Sequence, residues 1–261
     1  METNKGSKWE RFKAWAFRHD FVHCFPMLMF LVAYLIWFHI LEIVPRRHYI
    51  EIGLKIDRMI PFCEYFIVLY LSWFAFVAIG GIYLYIRDRE EYDKLMTVLV
   101  IGMTFFLVVS TLFPNRLNLR LAKMPRDNIF CRLVEFVWST DTPTNVWPSI
   151  HVFNSISVAM GLTRSNCRKK KPVWLSAGII IWAGMIILST VFVKQHSVVD
   201  VIGGALLALC CFIYTYGFGR VFWLKSYKEF VVLRKSGWFV EENADGTVKK
   251  TSPKKREKAL Y

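Results

Sequence analysis

Apolar residues in this chain come in long blocks separated by short polar stretches, and the blocks are too long and too uniform for the half-buried helices of a soluble domain. Six stand out: Phe25 to Leu41, Pro61 to Ile86, Leu95 to Phe113, Ile150 to Leu162, Val173 to Val193 and Val198 to Trp223. A membrane-crossing helix needs about 20 mostly apolar residues, so the pattern predicts an all-α integral membrane bundle of about six transmembrane helices. The fourth block is short, which predicts a helix that tilts or sits partly within protein. The polar remainder sets the other boundaries: residues 1–24 form an N-terminal segment, 25–224 the membrane domain, and 225–261 a basic tail.

Between the spans, local signals are sparse. Trp9, Phe12 and Ala16 recur at helical spacing among Lys8, Arg11, Lys13 and Arg18, which fits either a helix lying in the headgroup layer or a solvated leader. Arg168 to Lys171 followed by Pro172 reads as a tight basic turn. Asp245-Gly246, set between alternating residues of Trp238 to Lys249, is the signature of a small hairpin.

Composition supports the membrane reading and removes one alternative. The 261 residues are 55% hydrophobic and 16% aromatic, beyond an ordinary soluble domain. A formal net charge of +14 raises the question of nucleic acid. The 34 Lys and Arg, however, are spread over the connections and the tail, and the larger share falls on the N-terminal side, the second and fourth connections and the tail. Positively charged loops stay in the cytoplasm, so both termini are expected inside, in a multi-pass protein of the cell membrane, with no nucleic-acid partner. The six cysteines lack metal-type spacing and read as packing residues, although Cys63 and Cys131 both fall toward the outer surface, where a disulfide is open.

This topology puts two histidines on one face. His196 and Asp200 are four residues apart at the start of the last block, so on a helix the carboxylate can hold one ring nitrogen and aim the other. Pro148-Ser149-Ile150-His151 opens the fourth block and brings a second imidazole to the same outer side. Ser149 and the helix N-terminus behind it suit an anion. Arg116 and Arg120, four apart, and Lys194, two residues before His196, are further candidate phosphate ligands. Cleaving a phosphate ester requires a nucleophile, a proton donor for the leaving oxygen and fixed positive groups. His196, His151 with Asp200, and the cations supply those parts without a metal or other cofactor. His39, by contrast, reads as a hydrogen-bonded packing residue.

These residues resemble the motifs of the type 2 phosphatidic acid phosphatase superfamily, whose blocks are Lys-x6-Arg-Pro, Pro-Ser-Gly-His and Ser-Arg-x5-His-x3-Asp. Here the second block reads Pro148-Ser149-Ile150-His151, the third reads Ser189-Thr190, five residues, His196 and Asp200, and Arg120 alone matches the first. The family's first-block Lys falls at Phe113, its first-block Pro at Leu121, its Gly at Ile150 and its third-block Arg at Thr190. Lys194 and Arg116 are the expected substitutes for the missing cations. The resemblance implies a metal-independent lipid phosphatase of the acid phosphatase type. It would act through a phosphohistidine on His196 at the outer face, on a lipid phosphate or pyrophosphate such as phosphatidic acid, phosphatidylglycerol phosphate or undecaprenyl pyrophosphate. Two alternatives use the same residues: a lipid phosphotransferase, or a non-catalytic protein that binds a lipid headgroup.

Overall fold

The computed structural model describes residues 21–44, 46–165, 173–219, 221, 241–242 and 248–249. The expected headgroup-layer helix before residue 21, the basic turn at 168–171 and most of the tail lie outside them. The chain divides into two units, Ala33–Val221 and a second that combines Met1–Val32 with Phe222–Tyr261. In the second unit, β3 (Glu241–Glu242) pairs antiparallel with β4 (Val248–Lys249), Glu241 opposite Lys249, as the Asp245-Gly246 signal predicts.

Eight helices are described: α1 (Phe21–Ile43), α2 (Lys55–Met59), α3 (Ile67–Arg87), α4 (Arg89–Leu112), α5 (Ile129–Thr140), α6 (Ile150–Arg164), α7 (Val173–Phe192) and α8 (Val198–Phe212). A π-helical turn, Ile213–Gly217, extends α8. Among the described residues five segments are long and apolar enough to cross a membrane: Cys24–Ile43, Glu64–Arg87, Arg89–Leu112, Val173–Phe192 and Val198–Gly217. Their outward faces are apolar, with Ile79, Ile82, Ile86 and Ile181 all exposed. Water would not tolerate such a surface, whereas lipid would.

The fourth block becomes α6, and its shortness has a physical reason. At about 1.5 Å per residue, its 15 residues reach only about 22 Å, less than the hydrocarbon thickness of about 30 Å. Instead of facing lipid, α6 packs against α3, α4, α7 and α8 and buries Val152, Phe153, Asn154, Ser155, Ser157 and Val158. Small residues let the neighbours approach closely. A Cβ on Gly102 of α4 would fall 2.0 Å from the Phe153 ring, and one on Gly204 of α8 would fall 2.5 Å from the Ser149 carbonyl oxygen.

Polar side chains at one end of the bundle, two of them fully buried, tie the loops down. Glu64 accepts from Arg126 at 2.8 Å and Asn128 at 3.0 Å, joining the start of α3 to α5. Glu42, at the end of α1, accepts from the Thr142 backbone at 3.2 Å, the Thr142 hydroxyl, and Asn145 at 2.9 Å. Asn115 accepts from the backbone of Val146 at 2.8 Å and Trp147 at 3.0 Å. It also belongs to the two-residue strand β2 (Asn115–Arg116), which runs parallel to β1 (Ile50–Glu51). Cys63 and Cys131 are both free thiols, so the disulfide left open by the sequence is not formed.

Candidate active site

The loop that Asn115 fixes leads directly into Pro148 and Ser149. Ser149 is the N-cap of α6, its hydroxyl accepting from the Val152 backbone at 3.4 Å, and its own N–H donates to the Asp200 carbonyl at 3.1 Å. That backbone bond, with the close contact at Gly204, locks the start of α6 to the start of α8. His151 sits one residue into α6, its ring against Tyr70 at 4.7 Å and Trp73 at 4.5 Å.

The other side of the site comes from the α7–α8 turn. After α7 ends, Lys194 adopts a left-handed conformation with φ 59°, and the backbone N–H groups of Gln195 and His196 both donate to the Thr190 carbonyl. A non-glycine residue held there costs about 1–2 kcal/mol, which the turn recovers through its buried bonds. α8 then opens with a capping box: the Ser197 hydroxyl accepts from Asp200 N–H at 3.2 Å, and Asp200 Oδ2 accepts from Ser197 N–H at 2.7 Å. Asp57 braces the same turn, its Oδ1 accepting from Val198 N–H at 2.8 Å.

Three sequence-predicted residues therefore converge. His196 Nε2 lies 3.3 Å from His151 Nδ1, and His196 Nδ1 lies 3.5 Å from Asp200 Oδ2. The latter is an ion-pair distance without hydrogen-bond geometry, so His196 Nδ1 and Asp200 Oδ1 are buried polar atoms lacking a hydrogen bond. The carboxylate still favours the tautomer with the proton on Nδ1. His196 Nε2 is then unprotonated and accepts from His151 Nδ1–H. A ring nitrogen with its lone pair and a neighbouring N–H donor are the two groups that opening a phosphate ester needs, once a phosphoryl group takes the place of the contact between them.

The predicted cations are distributed differently. Arg120 bonds to Gln195, the residue before His196. Its Nη1 donates to the Trp138 carbonyl at 2.7 Å, and its Nη2 donates to the Asp141 carbonyl at 2.5 Å and to Gln195 Oε1 at 2.8 Å. Burial lowers its pKa from the usual guanidinium value, opposed by Asp141. The Lys194 ammonium is buried on the carbonyls of Asp57 at 2.8 Å and Ile60 at 2.5 Å, and burial lowers its pKa too. Arg116 pairs with Glu51 at 2.5 Å, both side chains half-exposed. Thr190, where the family motif has Arg, is buried and its hydroxyl donates to the Ile187 carbonyl.

Sequence reasoning missed several residues around the pair. Gln195 Nε2 donates to Asp141 Oδ2 at 3.4 Å, and the Tyr70 hydroxyl approaches the same oxygen at 3.5 Å. The Asp141 carboxyl is raised above its ordinary value, first by burial and further by Glu42, against the lowering effect of His196. The polar run Asp141 to Asn145 just before Pro148 was an available signal. Asp57 and Tyr70 carried none, because each acts across more than 70 residues of chain.

Residues 125–223 match the family model of the PAP2 superfamily. No curated protein shows significant similarity to the chain. Among solved structures, the crystal structure of Aquifex aeolicus LpxE is similar at 18% identity and a TM-score of 0.43, over 63% of this chain and 94% of that one. The segment that matches the PAP2 model runs from α5 through α8 and carries Ser149, His151, His196 and Asp200, the residues on which the resemblance to the type 2 phosphatidic acid phosphatase superfamily rests.

Proposed function

We propose that this protein is an integral membrane lipid phosphatase that hydrolyses a lipid phosphomonoester or pyrophosphate at the outer membrane face through a phosphohistidine on His196. The match to the superfamily model supports a membrane lipid phosphatase in general. The observation that carries the finer reading is the 3.3 Å approach of His196 Nε2 to His151 Nδ1, with Asp200 behind His196.

In the first step the Nε2 lone pair attacks phosphorus. The bond from phosphorus to the lipid oxygen breaks with its electron pair on oxygen, and that oxygen takes the proton from His151 Nδ1. In the second step His151 Nδ1 removes a proton from water, the water oxygen attacks phosphorus, and the P–N bond returns its pair to His196. Asp200 stabilises the positive ring of the intermediate, and Arg120 and the Ser149 helix N-terminus face the phosphoryl charge. No metal is called for.

One observation favours a second reading. With Lys194 on carbonyls and Arg116 on Glu51, Arg120 is left as the nearest cation in the network, which suits the single charge of a phosphodiester and hence transfer to a lipid alcohol.

The test is to incubate purified protein with phosphatidic acid labelled in its phosphate, quench, and look for acid-labile, base-stable label on the protein. Label on wild type and none on His196→Ala supports the covalent route. Absence of label with every lipid phosphate tried leaves headgroup binding without catalysis. Adding a lipid alcohol and identifying a phosphorylated product separates transferase from hydrolase.

A further inference from the structure

Both hydrogens of one Arg120 nitrogen are already taken. Nη2 donates to the Asp141 carbonyl at 2.5 Å and to Gln195 Oε1 at 2.8 Å, while Nη1 gives one of its two to the Trp138 carbonyl. A guanidinium grips phosphate as a two-pronged fork in only two ways, through Nη1 with Nη2 or through Nε with Nη2. Each fork needs an Nη2 hydrogen. Arg120 can therefore make single contacts to an incoming phosphoryl group but cannot fork it while both partners stay in place.

The two partners differ in how easily they yield. The Asp141 carbonyl is backbone, at the end of α5, and its residue's N–H is bonded to Val137. Gln195 Oε1 is a side-chain amide that rotates about its own bonds. The amide is oriented by its other end, since Nε2 donates to Asp141 Oδ2 and so turns Oε1 toward Arg120. Gln195 is buried and immediately precedes His196.

We infer that Gln195 is a positioning residue that competes with phosphate for Arg120: its amide oxygen yields an Nη2 hydrogen when the phosphoryl group enters and takes it back when phosphate leaves. This rests on the His196 site described above. Gln195 thus lowers affinity for the anion and keeps product phosphate from lodging on the one cation of this network, while the Trp138 and Asp141 carbonyls hold the guanidinium in place.

Orthovanadate, a phosphate analogue, tests this without turnover. Its dissociation constant is measured by calorimetry on purified full-length wild type, Gln195→Met and Gln195→Glu. Methionine keeps the length and removes the competing oxygen, so its dissociation constant should fall about ten-fold, the scale of one charge-assisted hydrogen bond regained. Glutamate places a charge on Arg120 and should raise it by at least as much. Gln195→Leu replaces the methionine variant if that protein does not fold. With phosphatidic acid, the methionine variant should show the shift in KM, and stronger inhibition by added phosphate. Equal vanadate affinity in all three proteins, a weaker-binding methionine variant, or no vanadate binding by wild type or either variant overturns the inference. Loss of the covalent label with vanadate affinities still ordered as stated would sink the phosphatase reading and leave the Gln195 competition standing.

Discussion

At the scale of single residues, burial distinguishes the groups that build the site from those that serve it. Replacing Lys194 by Met should mainly cost stability, about 1–3 kcal/mol for each carbonyl of Asp57 and Ile60 left without its donor. Turnover per folded molecule should stay within a few fold, so a variant that melts like wild type but has lost its activity would restore Lys194 to the phosphate. Asp141 gives a pH dependence of defined sign. Its carboxyl is raised by burial, so as pH climbs from the unfolded carboxylate range through its own higher pKa the folded state holds the extra proton and stability falls. Asp141→Asn should flatten that fall in thermal melts taken from acid to neutral pH, and parallel curves for the two proteins would contradict it. At this scale the sequence was readable where motif and helix spacing coincide, at Ser149, His151, His196 and Asp200. It was not readable for the cations, because spacing along a helix says which side chains share a face and nothing about which carbonyl captures an ammonium. Lys194, the expected substitute for the cation missing at Thr190, sits in a left-handed turn, where helical spacing no longer applies.

At the scale of elements, the site depends on how closely α6 and α8 approach. Gly204→Ala drives a Cβ to 2.5 Å from the Ser149 carbonyl, and backbone cannot swing aside as a side chain can. Overpacking of this kind costs about 1–3 kcal/mol, and a shift of the α6 start should lower kcat at least ten-fold, with misplacement by about 1 Å worth up to a hundred-fold. Gly184→Ala on α7, where a Cβ meets nothing within 4 Å, is the control. If the two variants work equally well, helix approach does not govern the histidine pair. The apolar blocks foretold the long helices, missing mainly the charged first turn of α4 at Arg89 and the end of the last span, which stops at Gly217 and not at Trp223. The shortness of the fourth block left a tilted helix or one set partly within protein, and the run itself did not choose between them, since a short apolar run looks alike whether protein or lipid surrounds it.

At the scale of the whole molecule, the distribution of Lys and Arg sets the expected orientation. With the histidine end outside, a cysteine placed at exposed Lys123 should react with a membrane-impermeant maleimide on intact cells, in a background lacking the native thiols. A C-terminal tag should be reached by protease only after the membrane is opened. The reverse pattern would put the site on the cytoplasmic face and remove the outer-face proposal. The central helix, about 22 Å long, is shorter than a hydrocarbon layer of about 30 Å, so the expectation is that the His151 end of the site is reached from below the plane where phospholipid phosphates rest. A substrate must dive to reach it, or the bilayer must dimple around the protein, and either demand grows with acyl length. Reconstituted in vesicles of progressively shorter lipids, the protein should speed up, acting in effect as a gauge of membrane thickness.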